Sequence, residues 1–344
     1  MSTSVAGLPI VIIGGAGFIG HNLALHLKSL GAEVSVIDGL EVNNFVSLAT
    51  NADNVPHADL SIALINERFR LLREKGIPLL VQDARDYHGL SHMLTQMKPK
   101  VIIHLAAVSH ANRSNKNPFS TFDHSLRTLE NALDYTRNQP STHFVFLSSS
   151  MVYGNFDGES VTEESPCNPL GIYGALKVCG EKIVYAYNQV FDLPYTIIRP
   201  SALYGERCVS RRVGQVFIEA ALCGDDIYIT GDGGERLDFT YIDDLVQGIT
   251  LCIERGEARN QVFNLTFGNA RSVREMTEIL ESEFPGIKIQ SRARDNFTPE
   301  RGTLCVDKAR RMLGYEPQFP IERGYRQYIQ WYKGMKTKQP ELFN

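Results

Sequence analysis

Tyr173 and Lys177 stand four residues apart in Tyr-Gly-Ala-Leu-Lys, so on a helix they share one face, about 40° apart around the axis. A phenol with a pKa near ~10 is a poor base at neutral pH, and a cation nearby favours the phenolate. The pair is therefore equipped to take a proton from a hydroxyl. A Tyr–Lys spacing of four also arises by chance, and what raises this one is its company. Ser148-Ser149-Ser150 closes an apolar run, and Gly14-Gly15-Ala16-Gly17-Phe18-Ile19-Gly20 lies between a short apolar run and a helical pattern. Glycines at that spacing permit a tight turn, close approach of main chain to a pyrophosphate, and close helix packing. Asp38, about twenty residues on, is the acid expected on the adenosine ribose hydroxyls. Its charge repels the additional phosphate of NADP, which favours NAD.

Something must hold these groups together, and the hydrophobic pattern supplies it. Apolar, β-branched runs at 10–13, 33–38, 78–83, 101–107, 144–148 and 195–199 read as strands. Helical patterns lie between them, among them 120–137 and 173–190. This alternation predicts an α/β fold, a Rossmann-type doubly wound parallel sheet with helices on both faces. The connection from 39 to 76 is longer than a minimal crossover needs; it reads as loop over 39–56 and as an amphipathic helix over 59–75. Beyond Pro200 the alternation breaks up. The expected division is a dinucleotide-binding domain over 1–200, with a returning segment near 237–265, and a smaller α/β substrate-binding domain over 201–236 and 266–344.

Composition narrows the function. The chain has 344 residues, enough for two domains, and Lys+Arg 35 against Asp+Glu 39 gives a net charge of -4. That balance provides no global attraction for nucleic acid or an anionic membrane. The cysteines at 167, 179, 208, 223, 252 and 305 form no Cys-x-x-Cys and do not cluster with histidines. Neither a metal site nor a disulfide framework is indicated, and free thiols in a reducing cytosol are expected. Residues 1–27 carry no Lys, Arg, Asp or Glu, yet they have no basic start, and Pro9 and several glycines interrupt them. They read as neither signal peptide nor membrane span, and the expected location is cytoplasmic.

Taken in order along the chain, 14–20, 82–86, 104–107, Ser148 to Gly154, Tyr173 to Lys177, Arg199-Pro200, Tyr204-Gly205 and 231–244 resemble an extended short-chain dehydrogenase/reductase of the NAD-dependent sugar-nucleotide epimerase/dehydratase group. The resemblance covers nearly the whole chain. It implies that NAD is held by Gly14, Gly17, Phe18, Ile19, Gly20 and Asp38. Asp83 and Ala84 would flank the adenine, Leu105, Ala106 and Ala107 would line the dinucleotide, and Tyr173 and Lys177 would touch its nicotinamide end. It further implies that Ser149 bonds the reacting hydroxyl beside Tyr173, that Ser150 borders the substrate, and that Arg236 and Arg301 clamp a nucleotide diphosphate, a task for forked donors. A homodimer is implied through the helices at 120–137 and 173–190, whose apolar positions include Leu126, Leu129, Leu133, Ile183 and Tyr187.

The implied activity is epimerisation of a nucleotide-diphosphate sugar at carbon 4 through a transient ketone, with NAD retained. A dehydratase, decarboxylase or ketoreductase of the same fold is the alternative, and a non-catalytic NAD sensor is a remote one. An intact Ser149, Tyr173 and Lys177 set argues against the sensor. In dehydratases of the group an Asp-Glu pair follows the serine, whereas Ser150 and Met151 stand here, and neither can act as acid or base at neutral pH. Ile13, His21 and Ala202 replace the Thr, Ser and Asn common in relatives. Arg207, Arg211, Arg212, His110, Asn112 and Arg113 either read an acidic sugar or are surface charges or a dimer rim.

Overall fold

The computed structural model describes residues 4–42, 44–50, 56–108, 111–293 and 299–343. Seven parallel strands form one sheet in the order Gln261–Asn264, Tyr195–Arg199, His143–Leu147, Val101–His104, Pro9–Ile13, Glu33–Asp38, Leu79–Val81. The order reverses at Pro9–Ile13. A crevice therefore opens beyond the carboxyl ends of Pro9–Ile13 and Val101–His104, the usual ligand position in a doubly wound sheet.

Strand alternation explains the two cores. Ile10 and Ile12 face one side and Val11 and Ile13 the other, all four at most 2% exposed. The first side packs against the helices Phe18–Ser29, Ala58–Glu74 and Ile242–Glu254, the second against Tyr87–Met97, Thr128–Thr136 and Gly171–Phe191. A fully apolar strand is what such two-sided burial requires. The first core continues into the helices Val213–Cys223, Val273–Glu283 and Ile321–Lys338, where Tyr204, Tyr241, Tyr325, Tyr328 and Tyr332 pack edge-on or tilted against one another.

Several boundaries differ from the pattern. Within 39–56 a short helix, Phe45–Ala49, forms because Leu48 is drawn into the first core; residues 43 and 51–55 lie outside the described set. The strand expected over 78–83 shortens to Leu79–Val81, an edge strand whose Val81 is exposed. The helix expected from 120 begins at Pro118, capped by Asn117, and includes a π turn at Asp123–Arg127.

The apolar positions expected at a dimer seam divide into two groups in the single chain. Leu126, Leu129 and Leu133 are buried in the second core of a single chain, and Ile183 and Tyr187 pack against that core. The three leucines are used internally, whereas Ile183 and Tyr187 keep part of their surface exposed. The exposed apolar side chains nearby are Phe119, Phe122, Val190 and Phe191.

Candidate active site

The helix Gly171–Phe191 approaches the sheet closely because it is notched by glycine. A Cβ at Gly174 would lie 2.6 Å from the Met151 carbonyl oxygen, and one at Gly180 would lie 2.7 Å from the Phe146 ring. Beneath the helix, Glu181 and Arg199 form a buried pair at 2.6 Å, and the Ser148 hydroxyl donates to Glu181 at 2.5 Å. That anchoring sets Tyr173 and Lys177 beside the end of His143–Leu147, where Ser149 and Ser150 begin a one-turn 3₁₀ helix.

Lys177 is buried, and its Nζ donates to the Leu147 carbonyl at 2.6 Å, 5.0 Å from the Phe146 ring centre and 5.9 Å from that of Tyr173. Burial lowers its pKa to about 8, against the attraction of Glu181. Burial raises the Tyr173 pKa, opposed by a hydrogen bond with Ser149 and by the charge of Arg212. His104, behind them, is held neutral: burial and then Lys177 push it down to about 3.

A chamber of about 380 Å³ opens over these groups, lined by Ser149, Ser150, Met151, Tyr173, Lys177 and Arg301 among others. A second, of about 130 Å³, is lined by Gly14, Gly17, Phe18, Ile19, Gly20, Asp38, Asp83, Ala84, Leu105, Ala106 and Ala107. Ile19, Leu105, Ala107 and Arg212 border both. The lining of the second chamber suits the adenosine and pyrophosphate of a dinucleotide, whose other end would cross the shared border toward Tyr173 and Lys177. Gly14 has φ +79°, and a Cβ there would lie 2.6 Å from the Ala106 amide nitrogen, so only glycine leaves the cradle open. The helix Phe18–Ser29 starts at the cradle with no acid in its first turn, leaving its positive end to an anion. Asp38 accepts from the Ala16 and Leu40 amides at 2.9 and 2.7 Å; its carboxylate retains lone pairs for ribose hydroxyls.

One predicted residue is placed elsewhere. Arg236 is exposed and donates to the Ala270 carbonyl at 2.6 Å, while its neighbour Leu237 lines the first chamber. The two form a short strand paired with Arg271–Ser272, so they point to opposite sides. Arg301 does reach the chamber, with Glu235 at 2.8 Å and a buried Nε lacking a partner. Among residues the sequence analysis missed, Glu41 and His124 line the second chamber and pair with each other at 2.9 Å. Their only sequence signal is charge. Of the arginines left open, Arg212 alone lines the chambers. His110 lies outside the described residues, as do the side chains of Asn112 and Arg113.

Comparison with known proteins bears on the family and the fold. A protein of Bacillus subtilis named as an uncharacterized UDP-glucose epimerase is 30% identical over 321 residues, covering 92% of this chain and 95% of its own. A putative UDP-glucose 4-epimerase of Methanocaldococcus jannaschii is 28% identical over 330 residues, covering 94% and 98%. The crystal structure of UDP-glucuronic acid 4-epimerase from Bacillus cereus, in complex with UDP-glucuronic acid and NAD, superposes with a TM-score of 0.83 at 23% identity, covering 95% and 99%. Residues 10–266 match the model of one family, and with the glycine cradle, Asp38 and the Tyr–Lys helix all on that stretch, the chain belongs to the NAD-dependent epimerase/dehydratase family.

Proposed function

We propose that the protein is an NAD-dependent epimerase that inverts carbon 4 of a nucleotide-diphosphate sugar. The observation that carries this reading is the content of the reaction chamber. Among its described lining residues the only carboxylate is Glu235, and Arg301 holds it in an ion pair. Elimination of water needs an acid for the leaving hydroxyl and a base for the neighbouring proton. Ser150 and Met151 supply neither, whereas epimerisation needs one group that takes a proton and gives it back.

Tyr173 is that group. Ser149, in hydrogen-bond reach of it, orients the substrate oxygen, Tyr173 as phenolate takes the hydroxyl proton, and Lys177 contributes positive charge to the same pocket. NAD, when bound in the glycine cradle against Asp38, supplies reversible oxidation of the sugar carbon. Arg301 presents a free Nε to the diphosphate. The chamber has room for the ketone to turn its other face before Tyr173 returns the proton.

Two of the relatives above are named as UDP-glucose epimerases and the Bacillus cereus structure holds UDP-glucuronic acid, which makes UDP-sugars the first candidates. Exposed Phe119, at 84%, with Phe122, Val190 and Phe191, supports a homodimer through this face; light scattering that shows only monomer at micromolar concentration would remove it. Six free cysteines support work in a reducing cytoplasm, and no described helix is long and apolar enough to cross a membrane. The deciding experiment incubates the protein with a panel of nucleotide sugars and reads products by mass and NMR. A product of unchanged mass with inverted carbon 4 and no accumulating NADH is expected. Loss of water or carbon dioxide, or consumption of external NADH in step with product, would overturn the reading.

A further inference from the structure

Three consecutive carbonyls where the glycine loop enters the helix Phe18–Ser29 are held from behind by side chains that lead to two arginines. The Ala16 carbonyl lies 3.4 Å from Nη1 of Arg68. The Gly17 carbonyl accepts from His21 Nδ1 at 2.8 Å, and the Phe18 carbonyl from Asn22 at 2.9 Å. Arg207 in turn donates to both of those side chains, through Nε to His21 Nε2 at 3.0 Å and through Nη2 to Asn22 at 3.0 Å. A carbonyl only accepts and a guanidinium only donates, so His21 between them is the neutral tautomer with its proton on Nδ1. Burial, then Arg68 and Arg207, keep it neutral. Arg68 completes the circuit by donating through Nε and Nη2 to the Arg207 carbonyl, the first at 3.0 Å.

What lies on the other face of the same peptides is a pair of free donors. The carbonyl and the N–H of a trans peptide point opposite ways, so holding the Gly17 and Phe18 carbonyls from behind aims the Phe18 and Ile19 amides forward. Those two amides have no acceptor among the described residues, and both residues line the chamber of the glycine cradle. The charges behind them are poorly matched within the chain. Arg68 is fully buried on the helix Ala58–Glu74, with main-chain carbonyls as its acceptors and no carboxylate in ion-pair reach among the described residues. Burial pulls its pKa down to about 10, which leaves it charged at neutral pH. A buried cation without a counter-ion is costly. Arg207 has only Glu67, at 3.7 Å.

We propose that Arg68 and Arg207 are positioning residues for the pyrophosphate of NAD, a cationic backing that aims the Phe18 and Ile19 amides at it and supplies charge from behind the loop. Residues 14–20 carry no charge of their own, so the pyrophosphate otherwise meets only amides and the helix end. Each hydrogen bond in the relay polarises the next, and burial away from water strengthens the effect. The inserted helix and the segment of Arg207, whose Ser210 lines the same chamber, are thereby tied to cofactor binding.

The test is calorimetry on the full chain freed of NAD, with NAD, ADP and adenosine as ligands, adenosine being read by its competition with ADP. The three share the adenosine end and differ in the pyrophosphate. Arg68→Met should weaken NAD and ADP about tenfold, the scale of a charge at a helix N-terminus, and leave adenosine within about twofold. Arg207→Met should act in the same direction but less, because Glu67 already offsets that charge, and Arg68→Lys should restore most of the loss. Arg211→Met is the control. Arg211 stands on the same segment with the same left-handed backbone, φ 51° against 61° at Arg207, but its guanidinium donates to the Pro56 carbonyl at 3.1 Å and not to the side chains behind the loop. Its ratio of ADP to adenosine affinity should match the parent. Equal losses of adenosine and ADP in Arg68→Met would overturn the proposal by marking a packing role, and so would a parental ratio in Arg207→Met. If Arg68→Met does not fold, Arg207→Met and Arg68→Lys decide alone. Binding needs no turnover: a shifted ratio in a protein that epimerises nothing would overturn the proposed function and leave this assignment standing.

Discussion

Lys177 should destabilise the fold it serves. Its ammonium is buried, with a pKa near 8 against the usual 10.5. Between those two pH values the unfolded chain carries a proton that the folded chain has released, so stability rises with pH across that window. Below pH 8 both states are protonated and the whole penalty applies, about 3 kcal/mol from the two values. Lys177→Met removes it and forfeits the hydrogen bond to the Leu147 carbonyl, worth about 1 kcal/mol. The variant should therefore be about 2 kcal/mol more stable than the parent at pH 7, and the order should reverse as pH approaches 10.5, where only the lost hydrogen bond counts. Urea unfolding at a series of pH values measures both ends, while turnover collapses throughout. A variant less stable than the parent at pH 7 would refute the reasoning, because it would mean that the ammonium is welcome where it lies.

Tyr173→Phe should keep NAD binding and fold while turnover falls by about 10²–10⁴, the range for a general acid-base group; near-normal rates would remove Tyr173 from its role. Calorimetry should find NAD bound more tightly than NADP, with Asp38→Asn narrowing the gap; equal affinities in the parent would sink the ribose assignment. Gly14→Ala combines a left-handed φ with a backbone clash at Ala106 and should abolish cofactor binding, whereas Gly7→Ala, at φ +70° with nothing within 4 Å, should cost only about 1 kcal/mol of stability. Comparable losses of binding in both would show that conformation and not the cradle matters.

Local spacing carried most of what the sequence discloses. The glycine loop, Asp38 and the Tyr–Lys helix each depend on a few consecutive residues in regular elements, so their types and spacing fix their geometry before any tertiary contact. Arg236 was not legible in that way. Its strand is two residues long, too short to display a period, and pairing with Arg271–Ser272 alone decides that Leu237 faces the chamber. Arg207, Arg211 and Arg212 are alike in type and close in sequence. Left-handed backbone at the first two, which no local rule demands of arginine, separates anchors from the residue that lines the site. Arg68 is less legible still, since an arginine on an amphipathic helix ordinarily faces water, and here its partners are carbonyls far away in sequence.

The chemistry open to the chamber follows from how few proton carriers line it. A phenol that takes a proton from a hydroxyl and returns it to the same oxygen leaves the protein unchanged after each cycle, so one tunable group suffices, and burial with nearby cations can tune it. Elimination would leave a proton on one group and remove it from another, which requires two groups whose pKa values are separated by their surroundings. At the position where the second would act, Met151 puts its sulfur 3.9 Å from the Arg301 guanidinium, and a thioether has no exchangeable proton. The one carboxylate among the described lining residues, Glu235, is engaged by the same arginine in an ion pair at 2.8 Å. The outcome of the reaction is thus set as much by the inert side chain after the serines as by the tyrosine opposite them.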